Sequence, residues 1–391
     1  MQFIAEDLSS YKLHFHLLDM LQNWLKPLSP KTLASVQGLQ SYQLGKNIGL
    51  FAQADDLPDL TYVKAVLIGI DAAAADAVRP HLYALSFPFA GLQIADLGNV
   101  RKNHAETIIP VLQELLTGGI IPILLGGNDQ NLPYLLYHSY RKLDYALNMA
   151  MITPRLPYSA EDGWQLLPEY VLNRIVAQPD HYLFNMSIVG FQSHFCDPQA
   201  VAYLDSRNYE YLRLGKVKHN TEETEPLLRD ADTLALNLAA LKYADAPSPD
   251  ASPNGLAAEE ICQIVRYAGL SDKLSSFGLY NFGIKTENST QTPQLLAQII
   301  WYFLDGVYNR KHDYPLAPAH FNQYLVAVQS EKKPLVFWKS KRSERWWLQI
   351  ETVQNEKQKR HVLFPCSYRD YQMATDGNLS DRILLAFRRF V

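Results

Sequence analysis

At 391 residues and 44.5 kDa the chain exceeds a typical single domain, so one large α/β core with appendages, or two domains, is the starting expectation. Apolar residues make up 48% and charged residues 19%, which excludes a disordered chain, and a net charge of −4 offers no overall attraction to phosphate or acidic lipid. Cys196, Cys262 and Cys366 are odd in number and far apart, so neither a disulfide framework nor a thiolate zinc site is favoured, and a reducing compartment fits. No basic start precedes an apolar stretch and no apolar run reaches the roughly 18 residues that span a bilayer, so the expectation is a soluble, cytoplasmic protein without a membrane partner.

In chain order, residues 1–60 read as a mainly helical cap, because Leu17, Leu18, Leu21, Trp24 and Leu25 recur at helical spacing before Pro27 and Pro30 stop the run. A strand is predicted over residues 62–70, a helix near 78–85 and a second strand around 92–97. The third cycle is sharper: a helix over 104–116 is stopped by Gly118 and Gly119, and the apolar run 120–125 opens onto a Gly126-Gly127 turn. Later apolar runs at 145–152, 181–190, 233–241 and 275–282 alternate with helical stretches at 255–268 and 292–308. Nearly continuous apolar strands of this kind belong to a parallel sheet buried on both faces, so a three-layer α/β/α domain is expected over residues 61–320.

Beyond about residue 320 the texture changes to short β-like runs between charged turns, which predicts an antiparallel meander and a final helix from about Ser380, together spanning 321–391. Within it, Trp338, Lys339, Lys341, Arg342, Arg345, Trp346 and Trp347 interleave aromatic and basic residues, as a single-strand nucleic-acid platform would. A hairpin whose tryptophans pack inward is the preferred reading, given the negative net charge, and nucleic acid is not an expected partner.

In a parallel sheet, ligands sit beyond the carboxyl ends of the strands, so polar residues that end apolar runs are the first candidates. Three places stand out: Asn128 to Gln130, Asn148 to Thr153, and Asn237 to Lys242. Their order and context resemble the arginase (ureohydrolase) family, which includes arginase, agmatinase and formimidoylglutamase, over roughly residues 60–310. Val78, Arg79, Leu82 and Tyr83 stand where that family has an Ile-Arg-x-x-Leu-like helix start, and Asp96, Leu97 and Gly98 reproduce its Asp-Leu-Gly. Gly126 to Gln130 resembles Gly-Gly-Asp-His-Ser, residues 187–192 resemble an Ile-Gly-x-Arg stretch, and residues 244–260 resemble its Pro-rich loop before a helix. The resemblance implies an α/β/α fold with a mainly parallel sheet, and a homo-oligomer.

At the metal motifs the chain departs from the family. Active ureohydrolases hold two manganese ions through a His of the Gly-Gly-Asp-His motif, an Asp-Ala-His-x-Asp motif and an Asp-x-Asp motif. Here Asp129 stands at the first His, Met149, Ala150, Met151, Ile152 and Thr153 at the second motif, and Asn237, Leu238 and Ala239 at the third. Residues 145–160 and 233–241 contain no Asp, Glu or His, so a one-place slip in alignment restores nothing. Two hard cations some 3.5–4 Å apart need several carboxylates around them, which these residues do not supply. The expectation is a metal-free, catalytically inactive relative with a binding, regulatory or scaffold role.

The pocket is read either as repacked core or as a retained cavity in which Asn128, Asp129, Gln130, Met151, His194 and Asn237 meet a small ligand. A protein partner is the other expected role, and a third reading is a protein or nucleic-acid adaptor that works through the C-terminal meander. The alternative function is an amidine or guanidine hydrolase that recruits manganese through Asp129, His194 or Asp245. His219, Glu222, Glu223 and Glu225 read as a charged connecting loop, and Ser187, Ser193 and Thr153 lack a nucleophile-elbow context.

Overall fold

The computed structural model describes residues 21–143, 146–161, 163, 166–248, 250–283, 290–313, 317–328, 333–353 and 359–390. Its strands are β1 (Leu25–Lys26), β2 (Gly49–Leu50), β3 (Val63–Gly69), β4 (Gln93–Val100), β5 (Ile121–Leu125), β6 (Leu147–Ile152), β7 (Leu183–Phe191), β8 (Glu210–Arg213), β9 (Thr233–Asn237), β10 (Ser276–Tyr280), β11 (Phe321–Val326), β12 (Leu335–Ser340), β13 (Trp346–Val353) and β14 (Lys359–Cys366). The first ten form one sheet in the order β1-β4-β3-β5-β10-β9-β6-β7-β8, with β2 also on β4. From β4 to β8 every pairing is parallel.

The central strands are mostly apolar because both faces are covered, whereas the edge strand β8, Glu-Tyr-Leu-Arg, is not. In β6 the period of two sends Ala150 and Ile152 to one core layer and Leu147, Met149 and Met151 to the other. The Ala72–Tyr83, Ala258–Leu270 and Gln291–Tyr308 helices close the first layer, and the Ala105–Thr117, Leu132–Ser139 and Val171–Val176 helices close the second. This is the three-layer α/β/α arrangement expected from the apolar runs.

The residues that resemble a family helix start do structural work. Arg79 is fully buried and spends all its donors: on Asp96 (2.8 and 3.0 Å), the Gly98 carbonyl (2.6 Å), Asn99 (2.8 Å) and Asp76 (2.7 Å), while the Tyr83 hydroxyl donates to Asp96 at 2.8 Å. The network locks β4 onto the Ala72–Tyr83 helix. Gly69 in β3 must lack a side chain, since a Cβ there would stand 1.9 Å from Asn99 Oδ1.

Several local expectations change. The helix expected near 78–85 runs from Ala72 to Tyr83, because the Asp71 side chain caps it by accepting from Ala74 N. Leu17 and Leu18 lie outside the described residues, and Leu25, read as helical, pairs with Val100 as the start of an antiparallel edge strand, because Pro27 follows at once and its side chain is buried against the sheet. Through β1 and β2, residues of the expected N-terminal cap add to the main sheet. The run 233–241 ends as a strand at Asn237, whose side chain accepts from the Ala239 amide and turns residues 238–240 into a 3-10 turn.

β11 to β14 form a separate antiparallel meander, with the Tyr368–Thr375 and Asp381–Phe390 helices closing its core. It seats on the end of the large sheet where strands begin. Arg229, at the end of the Thr224–Asp230 helix, donates to the carbonyls of Trp346 (3.0 Å) and Cys366 (2.9 Å) and lies over the Trp347 ring. In return Arg382 and Arg389 reach Glu210, the first residue of β8. Trp346 and Trp347 are buried and Arg345 pairs with Glu225, so these side chains serve the docking and not an open stacking platform. No helix among the described residues is long and apolar enough to cross a membrane.

Candidate functional site

The connections that leave β3 and β5 run to opposite sides of the sheet, and so do those that leave β9 and β6. A crevice opens beyond the strand ends at such points. Clefts of about 420 Å³ beside Val63 and Gln93 and about 510 Å³ beside Ala146 and Leu183 lie at the other end, where strands start, and so are not this crevice.

Backbone bonds stitch the ends of β5 and β10 together: Gly126 N donates to Leu279 O (2.8 Å) and Phe282 N to Gly127 O (2.9 Å). Gly127 has a positive φ, and a Cβ there would meet Asp71 at 2.5 Å, so only glycine fits. Asn128 is exposed, its amide against Gly283; Asp129 and Gln130 are half-buried. The Asp129 carboxylate turns back on its own chain and accepts from the Asn131 amide at 2.9 Å, which sets up the turn into the Leu132–Ser139 helix.

At the end of β9, Asn237 Oδ1 accepts from Ala239 N and from Asn281 Nδ2, both at 2.9 Å. Asn281 Nδ2 also donates to Asp250 at 3.1 Å. Burial, partly offset by a hydrogen bond with Asn237, holds the neighbouring Tyr280 hydroxyl above the ordinary tyrosine range, the wrong direction for a base. At the end of β7, Gln192 Nε2 donates to Asn254 O at 2.9 Å, while its buried Oε1 has no hydrogen-bond partner.

Of the residues singled out in the sequence, Asn237 is thus at the centre of an amide network and Asn128 is on the adjoining turn. Met151 is buried in the core layer that holds Met149, Ile188 and Tyr280. His194 is exposed on a 3-10 turn, its ring against Phe195. Asp245 caps the Ala258–Leu270 helix by accepting from Ala258 N at 3.0 Å. Among the described residues no three His, Cys, Asp or Glu side chains come together as ligands of one ion would.

Asn281 was missed from sequence although it obeys the rule that found Asn128, a polar residue ending an apolar run. Its left-handed backbone, φ 59°, puts the amide inside the crevice at 4% exposure. Gln192 obeys the same rule, following Phe191 at the end of β7, whereas Asp250 has no such signal, because its partner lies 31 residues away.

The sheet order, its helical layers and the added meander define an arginase-type (ureohydrolase) fold carrying a small C-terminal extension. Among solved structures, a Trypanosoma cruzi formiminoglutamase with Mn2+ superposes with a TM-score of 0.59 at 14% identity, over 68% of this chain and 99% of that one. The formimidoylglutamase of Bacillus subtilis gives 0.55 at 16% identity, over 64% and 89%. The agmatine ureohydrolase of Thermoplasma volcanium gives 0.51 at 18% identity, over 70% and 95%. No protein-family model and no curated protein matches the chain.

Proposed function

We propose that this chain is a catalytically inactive, metal-free protein of arginase-type fold that keeps the strand-end crevice for a binding, regulatory or scaffold role. The observation that carries the reading is the fate of the polar groups at the three metal-motif places. Paired divalent cations need carboxylates free to face them. Asp129 accepts from the Asn131 amide through Oδ1 and belongs to no group of three ligand side chains among the described residues, Asn237 is neutral and bonded to Ala239 and Asn281, and Met149 and Met151 are core side chains. These residues do not fit two manganese ions.

An amide network supports the same reading from the other side. Without cations, clustered buried acids would repel one another, whereas Asn237 and Asn281 are joined by a neutral hydrogen bond and the one carboxylate beside them, Asp250, is exposed. The competing reading, an amidine or guanidine hydrolase with a single ion on Asp129 and a ligand such as His194 or Asp245, asks for groups that stand apart: one at a turn, one at the surface and one at a helix cap.

Metal analysis of protein purified with manganese tests the proposal. Well under one tenth of an equivalent per chain is expected, with no release of urea, ammonia or formamide from arginine, agmatine or formiminoglutamate. Stoichiometric manganese, or turnover lost on treatment with a chelator, overturns it. Met151→His alone is expected to recruit no metal, since the carboxylates that would share it are still missing.

A further inference from the structure

Three stretches of the chain, residues 32–45, 80–95 and 290–304, contain no Asp, Glu, Lys or Arg. The fold brings them together on the outside of one helical layer. Gln43 bridges to Ser86, Leu44 N donates to Leu85 O and Phe87 N to Tyr42 O (both 2.8 Å), and Trp301 Nε1 donates to Ser86 O at 2.7 Å. Phe89 is buried under the junction, with the rings of Phe87, Trp301 and Tyr308 at 5.4, 5.4 and 5.7 Å from its own.

Twenty-eight residues of these stretches are exposed or half-buried. A soluble surface ordinarily carries about 25–35% charged residues, so about seven to ten are expected among them, and there are none. In their place stand Tyr42 at 63% and Tyr302 at 38% exposure, with Tyr308 beside them at 42% and the exposed amides of Gln294 and Gln298. The one acid of the Gln291–Tyr308 helix, Asp305, is paired with Arg266 at 2.5 Å. Burial lowers the pKa of His81, so it adds no charge at neutral pH.

Depletion of charge together with exposed aromatic rings is the composition of a protein contact. A lipid surface is met by Lys and Arg beside the aromatics, and an acidic or basic partner by the opposite charge; this face offers neither. A second copy of the chain needs neither. In a two-fold contact each side chain near the axis faces its own equivalent, so a charge there would meet its like, whereas glutamine amides and tyrosine hydroxyls both donate and accept and so match themselves. Twenty-eight residues also fall within the roughly 20–30 that one side of a standard interface uses.

We propose that this charge-free face joins two copies of the chain across a two-fold axis, with Tyr42, Trp301 and Tyr302 near its centre. The proposal goes beyond the reading of the crevice and rests on none of it, so metal content and oligomeric mass are decided separately.

Light scattering of the full chain at micromolar concentration is expected to give twice 44.5 kDa. The double variant Gln298→Glu, Tyr302→Glu, altered only at exposed positions, sets like charges across the axis and is expected to raise the dissociation constant about 100-fold or more. Mixing it with Gln298→Lys, Tyr302→Lys is expected to restore dimers, which a merely misfolded variant could not do. The same charge at exposed Ala105, on a helix of the opposite layer, is expected to leave the dimer intact. A monomeric or trimeric parent overturns the proposal, as does a dimer that the two glutamates leave unchanged. So do acidic and basic variants that stay apart when mixed, or a dimer lost equally in Ala105→Glu.

Discussion

Asp232 is a carboxylate closed into the molecule at 3% exposure, accepting from the Asn148 amide at 2.7 Å with the Lys273 ammonium at 3.8 Å. Burial outweighs Lys273 and pushes its pKa up from 3.8 to about 6. An acid whose folded pKa is raised holds its proton in the folded chain while the unfolded chain has lost it, so stability falls as pH rises through that window. The loss begins near the ordinary value of 3.8, is complete just above about 6, and amounts to about 3 kcal/mol at 1.36 kcal/mol per unit. Denaturant unfolding of the protein and of Asp232→Asn between about pH 4 and about pH 7 measures it: the protein's advantage over the variant is expected to shrink by that order and then level off. An advantage that grows with pH would mean that Lys273 dominates. Nothing near Asp232 in sequence announces this, since the amide it bonds is 84 residues away.

Among elements, the helix that closes the chain shows what periodicity tells and what it hides. Its start near Ser380 is readable, and Arg382 and Arg389 stand seven residues apart on the face that also carries Ile383 and Ala386. That both arginines converge on Glu210, 172 residues from Arg382, is not readable. Most strands of the large sheet were legible because they are short apolar runs closed by turns, as with Ile121–Leu125 before Gly126 and Gly127, but the edge strand β8, Glu-Tyr-Leu-Arg, was not. The two-residue strands β1 and β2 were not, because a pair of residues carries no period, nor were short helices such as Val171–Val176 with fewer than two turns of pattern. Glu210 is 5% exposed, so Glu210→Ala leaves two arginines in the interior without their counter-charge, a loss of about 3–5 kcal/mol. Glu210→Gln, which keeps a hydrogen-bond acceptor, is expected to lose less. Thermal unfolding of the two variants checks the order, and equal loss would show that packing against Phe364, not charge, seats the helix.

On the scale of the whole molecule, the two ends of the large sheet have separate tasks. The strand ends carry the Asn237–Asn281–Asp250 network, and the strand starts carry the meander. What joins the meander to the sheet is interleaved: Arg229 enters the meander from one side while Arg382 and Arg389 leave it for Glu210 on the other. A boundary crossed by buried charges in both directions is not a linker, and it predicts that sheet and meander unfold as one unit. Calorimetry is expected to show a single transition. In Arg229→Ala the carbonyls of Trp346 and Cys366 lose their donor, about 1–3 kcal/mol for each buried acceptor left unpaired, and the meander is expected to melt first as a separate step. Two transitions in the unaltered protein would show that the meander is an independent module, free to act as an adaptor. One transition in the variant, merely at lower temperature, would assign the coupling to Glu210 and its two arginines.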